Sequence, residues 1–82
     1  LRDEEQHLRE FIRKRLRADH MGRLSGSDLW ELQVRYEQES GFCFDMWPDL
    51  FAAYVARAMG VTEMLDSTGY AWLVGVRRTG QR

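Results

Sequence analysis

The hydrophobic pattern of this chain changes period once, and that change limits its fold more than any other feature. Up to residue 60, apolar side chains recur at helical spacing in three separate segments. From residue 61 the spacing becomes that of strands, since the run "YAWLVGVR" (70–77) alternates between two faces. A chain of 82 residues has room for one small core, which the helices and strands therefore have to share.

The first segment predicts a helix over Asp3–Ala18, with Leu8, Phe11, Ile12 and Leu16 on its buried side. A glycine break follows, and "MGRL" (21–24) is predicted to pair as a short strand.

The second helix has clear end signals. Ser25 is a good N-cap residue, Asp28 answers it three positions later, and the helix is expected to run to about Glu39 with Gly41 just beyond. This helix carries two apolar stripes. The stripe of Leu29, Leu32 and Tyr36 is expected to join the core, and the stripe of Trp30 and Val34 is expected to turn toward the aromatic loop of residues 42 to 47.

A third helix is predicted from Pro48, which suits a first helical turn, to Met59, before Gly60. A hairpin is then predicted from "VTEML" (61–65) and the alternating run, with "DSTG" (66–69) as its turn. The order predicts an α+β fold, mostly α: a winged helix-turn-helix with three helices followed by a two-stranded β-wing. We expect one domain over residues 1–82, excised from a longer chain, because the sequence opens without methionine inside a helical pattern.

Composition limits the partners. The formal net charge of −1 provides no global attraction for nucleic acid or anionic membranes, so such binding would need a local patch. No apolar run approaches the ~20 residues of a membrane span. Cys43 is the single cysteine and cannot form an internal disulfide, which fits a reducing, cytoplasmic compartment.

Three phrases of the sequence, "GRLSGSDLW", "GFCFDMWPDLFAAYVARAMG" and "YAWLVGVRR", carry a family resemblance. They resemble the small winged-helix domain at the C-terminus of phage and plasmid primase–helicase proteins, over most of the chain from residue 8 onward. The matching positions are Gly22, Arg23, Leu24, Ser25, Leu29, Phe51, Gly60, Tyr70, Gly75, Val76 and Arg77. The resemblance implies an auxiliary domain of a mobile-element replication protein, beside a separate catalytic part of the parent chain.

Two binding functions follow from the residues. The first is DNA binding by the wing, the N-terminal half of the third helix and nearby arginines, mainly through phosphates. The residues do not distinguish between duplex, forked and single-stranded DNA. The predicted contacts are Arg23, Arg57, Thr68, Arg77 and Arg78. The alternative is protein–protein interaction or dimerisation without direct nucleic-acid binding, with a further domain of the parent protein as one possible partner. The predicted interface residues are Trp30, Val34, Phe42, Phe44 and Trp47.

Catalysis and metal binding find little support in the pattern. His7, His20 and Cys43 lack regular ligand spacing, so we predict no metal site and no cofactor. No nucleophile–base pair can be argued, and we therefore expect this chain not to be an enzyme.

Overall fold

A computed structural model describes residues 2–79 and shows a small α+β fold, mostly helical, with three helices and one antiparallel sheet. The helices are α1 (Arg2–Arg15), α2 (Gly26–Ser40) and α3 (Pro48–Met59). The strands are β1 (Leu16–Ser25), β2 (Thr62–Leu65) and β3 (Ala71–Arg78). The strand order is β1-β3-β2, so the last strand in the sequence lies in the middle of the sheet.

The predicted end signals of α2 and α3 are confirmed. The Ser25 hydroxyl accepts the N–H of Asp28 at 3.1 Å, and α2 ends at Gly41 with a left-handed backbone. Pro48 occupies the first turn of α3, and Gly60 closes that helix in the same left-handed conformation. These local sequence signals therefore fix both helices.

The predicted end of the first helix is wrong. α1 ends at Arg15 instead of Ala18, and Leu16 begins a ten-residue strand that also contains the predicted "MGRL" segment. The reason is tertiary pairing, since Leu16 lies opposite Arg78 and the carbonyl of Arg15 accepts the N–H of Thr79 at 2.9 Å. Pairing with β3 satisfies backbone groups that another helical turn would otherwise satisfy.

The predicted two-stranded wing is also incomplete. The β2–β3 hairpin is present, with Thr62 opposite Val74 and Leu65 opposite Ala71. β1 adds a third strand on the other side of β3.

A wide bulge divides β1. Ala18 pairs with Val76 and Arg23 pairs with Val74, so residues 19–22 of β1 lie opposite the single residue Gly75. Gly75 has a φ of 101°, a conformation that favours glycine. A Cβ at Gly22 would lie 2.7 Å from the carbonyl oxygen of Val76, so the close approach of the two strands here requires glycine as well.

One hydrophobic core joins the helices to the inner face of the sheet, and it includes the predicted stripe of α2. Of the stripe predicted for the first helix, Leu8, Phe11 and Leu16 are in the core, and Ile12 is partly buried against it. The core residues are Leu8, Phe11, Leu16, Leu24, Leu29, Leu32, Tyr36, Phe44, Phe51, Ala52, Val55, Ala56, Leu73 and Val76. Leu24 lies opposite Leu73, and both are buried. Their strand neighbours therefore point to the opposite, outer face of the sheet.

Candidate functional site

Arginines gather on the outer face of the sheet. Arg23 lies opposite Val74, and Arg17 lies directly opposite Arg77. Directly opposed residues share a face, with Cβ atoms about 5 Å apart, so Arg17 and Arg77 are neighbours. Arg23 is opposite Val74, which lies three positions before Arg77 on β3. Arg23 is therefore about 10 Å along the sheet from Arg17 and Arg77. We call Arg17, Arg23 and Arg77 the basic face; Arg17 and Arg23 are exposed.

An aspartate of the bulge holds one of these arginines. The Arg77 Nε lies 3.2 Å from Oδ2 of Asp19, and both side chains are about one-third exposed. The other oxygen of Asp19 accepts the N–H of Met21 at 3.0 Å, which shapes the bulge. The carboxylate therefore offsets part of the repulsion between Arg17 and Arg77, and a phosphate that reached Arg77 would compete with it.

The other predicted DNA contacts lie elsewhere. Arg78 is opposite the buried Leu16, which places its side chain on the inner side of the sheet end. Thr68 lies in the hairpin turn, before β3 begins at Ala71. Arg77 is six positions further along β3 than Ala71, so about 20 Å of strand separates Arg77 from the turn. The structure therefore does not gather the five predicted contacts on one surface.

Arg57 lies in a groove between α1 and α3. This groove has a volume of about 460 Å³, with Leu8, Ile12 and Tyr54 among its lining residues. Arg9 and Arg13 also line it, and Glu5 forms an ion pair with Arg9 at 2.9 Å. The side chain of Arg57 is thus adjacent to α1, away from the basic face.

The hairpin turn is organised by Asp66. One carboxylate oxygen accepts the Thr68 N–H at 2.9 Å, the Thr68 hydroxyl at 2.6 Å and the Tyr70 N–H at 3.0 Å. The other accepts the indole N–H of Trp72 at 3.1 Å. These hydrogen bonds, those from Thr68 and Trp72 above all, lower the pKa of Asp66 to about 2. The hydroxyl of Thr68 is therefore engaged with the turn itself.

The predicted interface residues separate into core and surface. Phe44 is 0% exposed and contacts the rings of Phe11, Tyr36 and Phe51, so it belongs to the core instead of a partner surface. Phe42 is half-buried and stacks on His7 with ring centroids 4.0 Å apart. This part of the aromatic loop therefore packs inside the domain.

A carboxylate of α2 fixes that loop. Oε2 of Glu37 accepts the backbone N–H of Phe44 at 2.8 Å and lies 3.3 Å from Nε2 of the buried Gln33. No sequence motif indicated this contact, because the acceptor and donor are seven positions apart and in different elements.

Trp30, Val34 and Trp47 remain toward the surface. Trp47 is 74% exposed and precedes α3, while Val34 is half-buried beside Arg35. Trp30, predicted to turn toward the aromatic loop, lines a groove between the first turns of α2 and α3 and the β2–β3 hairpin.

We call this last cleft the acidic groove; its volume is about 790 Å³. Four carboxylate residues line it: Asp28, Glu31, Asp49 and Glu63. Leu65 and Tyr70 add apolar surface and are 66% and 64% exposed. This groove was not found from the sequence, because Tyr70 was assigned to a strand of the wing and the first turns of α2 and α3 were not brought together with the hairpin. The signal that could have found it is the run of exposed apolar residues at the hairpin.

The three residues considered as metal ligands, His7, His20 and Cys43, lie in separate surroundings. His7 lies 2.8 Å from the hydroxyl of Tyr36, and burial raises the pKa of that hydroxyl. Cys43 is exposed and His20 lies in the bulge. Within residues 2–79, no group of three or more histidine, cysteine or acidic side chains is placed to hold a metal ion.

No helix of the described part of the chain is long and apolar enough to cross a membrane. Comparisons of the sequence and structure with protein-family models, curated proteins and solved structures found no match.

Proposed function

We propose that this chain is a non-catalytic DNA-binding winged-helix module of a phage, plasmid or other mobile-element replication protein. In this assignment β2 and β3 form the wing and β1 completes its sheet. The observation that carries the proposal is the basic face, where Arg17, Arg23 and Arg77 are directed to one side of the sheet. The resemblance of "GRLSGSDLW" and "YAWLVGVRR" to primase–helicase winged helices supports the replication context.

Phosphate contacts fit this surface better than base reading does. The arginines project from a sheet, and α3, the expected recognition helix, presents Asp49, Leu50 and Ala53 at its exposed N-terminal half. Readers of base edges use Arg, Lys, Asn or Gln, which these positions lack. We therefore place DNA on the basic face and leave Arg57, Arg78 and Thr68 out of the contact set.

Fluorescence anisotropy with duplex, forked and single-stranded DNA tests the proposal. Neutralising three phosphates predicts a salt slope of about −2.7 on a logarithmic plot for duplex, or an affinity loss of about fortyfold between about 50 and 200 mM salt. Arg17→Gln with Arg23→Gln should lower the slope by about two. Arg57→Gln is the matched control, since it removes an arginine away from the basic face.

A second variant tests the role of Arg77 directly. Asp19→Asn keeps an oxygen for the Met21 N–H but removes the negative charge beside Arg77, so DNA binding should tighten. The proposal fails if no DNA binds at low salt, or if Arg57→Gln weakens binding more than the double variant does.

Protein–protein interaction is the second candidate function, and the exposed apolar residues around the acidic groove favour it. In that case the chain would bind a partner without contacting nucleic acid. If the unmodified chain binds no DNA at low salt while circular dichroism shows that it is folded, this candidate is favoured over the first.

A further inference from the structure

Exposed apolar side chains concentrate around the acidic groove. Among the described residues, seven large hydrophobic side chains are exposed; three of them line this groove, and two more, Trp47 and Leu50, adjoin lining residues in the sequence. The three are Trp30, Leu65 and Tyr70, whereas Met64 lies opposite Trp72 on the outer side of the sheet and Met21 lies in the bulge of β1. Such a concentration on a small domain is typical of a docking surface.

The charge of the groove is of one sign. Its lining includes four acidic residues and, among the described residues, no Lys, Arg or His. None of the four forms an ion pair within residues 2–79. Asp28 and Asp49 lie in the first turns of α2 and α3, where the helix dipole stabilises an acid. Glu63 lies on β2, so helix stability does not account for its carboxylate.

The floor of the groove permits close approach. Gly26, Gly69 and Ala71 are among its lining residues, so little or no side chain covers the backbone at these positions. A cleft with apolar walls and a charged border receives an amphipathic helix through residues at i, i+3, i+4 and i+7. Charge complementarity then selects the partner, because the four carboxylates attract cations and repel phosphates.

We propose that the acidic groove binds a basic amphipathic helix of a partner protein. Its apolar residues occupy the surface around Trp30, Leu65 and Tyr70, and its lysines or arginines pair with Glu31 and Glu63. This proposal does not rest on DNA binding. Glu63 and Leu65 lie opposite Leu73 and Ala71, on the inner side of the sheet, whereas the basic face is on the outer side.

A pair of synthetic peptides tests the proposal on the 82-residue chain. The first has about 15 residues, the length at which an isolated helix becomes stable, with leucines on one face and lysines on the other. The second has glutamate at each lysine position. Fluorescence anisotropy of the labelled peptides should show that the lysine peptide binds at least about tenfold more tightly.

Variants of exposed residues locate the site without unfolding the chain. Glu31→Lys with Glu63→Lys should weaken binding of the lysine peptide by about tenfold or more and allow the glutamate peptide to bind. Leu65→Ala with Tyr70→Ala should weaken binding of the lysine peptide by a similar factor, about tenfold. Met21→Ala is the matched control, because Met21 is also exposed but lies in the bulge of β1, outside the lining of the groove.

Three results would overturn the proposal. They are equal binding of both peptides, no binding of the lysine peptide at about 1 mM, and an effect of Met21→Ala as large as that of the groove variants. Sedimentation of the unmodified chain adds a fourth: a dimer that Leu65→Ala with Tyr70→Ala dissociates would make a second copy the occupant. DNA competition separates this proposal from the previous one, since DNA on the basic face should not displace the peptide.

Discussion

Replacing Phe44 measures whether the aromatic loop belongs to the core. Phe44 is fully buried and contacts four rings, those of Phe11, Tyr36, Phe42 and Phe51, at centroid distances of 4.9 to 6.2 Å. Truncation of a buried phenylalanine to alanine costs about 3–5 kcal/mol. A domain of this length has a free energy of unfolding of about 4–12 kcal/mol, so Phe44→Ala could remove most of it.

Phe44→Leu gives a change that remains measurable. Leucine retains most of the buried volume but loses the ring contacts, and we expect a loss of about 1–2 kcal/mol. Urea unfolding followed by far-UV circular dichroism should show a midpoint lowered by about 1 M, for a slope of about 1–2 kcal/mol per molar. Phe44→Ala should lower the midpoint by about 2 M or more, and it should be largely unfolded where the free energy of unfolding lies at the lower end of its range.

Trp47→Leu is the control, because Trp47 lies in the same loop and is 74% exposed. It should change the free energy of unfolding by no more than about 0.5 kcal/mol. If Phe44→Ala unfolded within about 1 kcal/mol of the unmodified chain, or if the two leucine variants were equally destabilised, the burial argument would be refuted.

Three further predictions concern stability. Glu37→Ala leaves the loop N–H without its acceptor and should cost about 1–3 kcal/mol in urea unfolding, whereas Glu37→Gln, which keeps an oxygen, should cost less. Gly22→Ala should lower the free energy of unfolding by about 2 kcal/mol or more, since the added Cβ would lie 2.7 Å from the carbonyl oxygen of Val76. Gly26→Ala should cost far less, because its Cβ would lie 3.4 Å from the nearest atom, the carbonyl oxygen of Ala71. The pKa of Asp66 is lowered to about 2 from 3.8, so its stabilising effect is complete above about pH 4 and lost as the pH falls toward 2. Thermal unfolding should show Asp66→Asn less stable at about pH 5 and equal to the unmodified chain near pH 2; a gap that persists there would contradict this assignment.

Local signals predicted the helix ends that depend on local chemistry. Ser25, Gly41, Pro48 and Gly60 act within one turn of their helices, and each does what its residue type indicates. The turn residue Asp66 belongs to the same class, because three of its hydrogen bonds involve residues within four positions.

Long-range pairing set the features that the sequence did not reveal. Leu16 continues the helical stripe of α1, yet it also fits the inner face of a strand, and only its register with β3 decides between the two. The burial of Phe44 depends on Glu37, and the basic face depends on a bulge that aligns Arg23 with Val74. Candidate sites built from residue type alone therefore mixed residues from separate surfaces, as Arg57 and Arg77 show.

The central position of β3 also sets an order of folding. Closing the β2–β3 hairpin joins Leu65 to Ala71 across six positions, whereas the pairing of Leu16 with Arg78 spans 62. Loop-closure entropy makes the longer connection costlier by about 2 kcal/mol. The hairpin should therefore form first and then pair with β1, because β3 follows all three helices in the sequence. In a nascent chain that ends at residue 70, β1 and β2 are complete but β3, with which both pair, is absent. The edges of these two strands can then pair with other chains, so aggregation is most favoured at this stage.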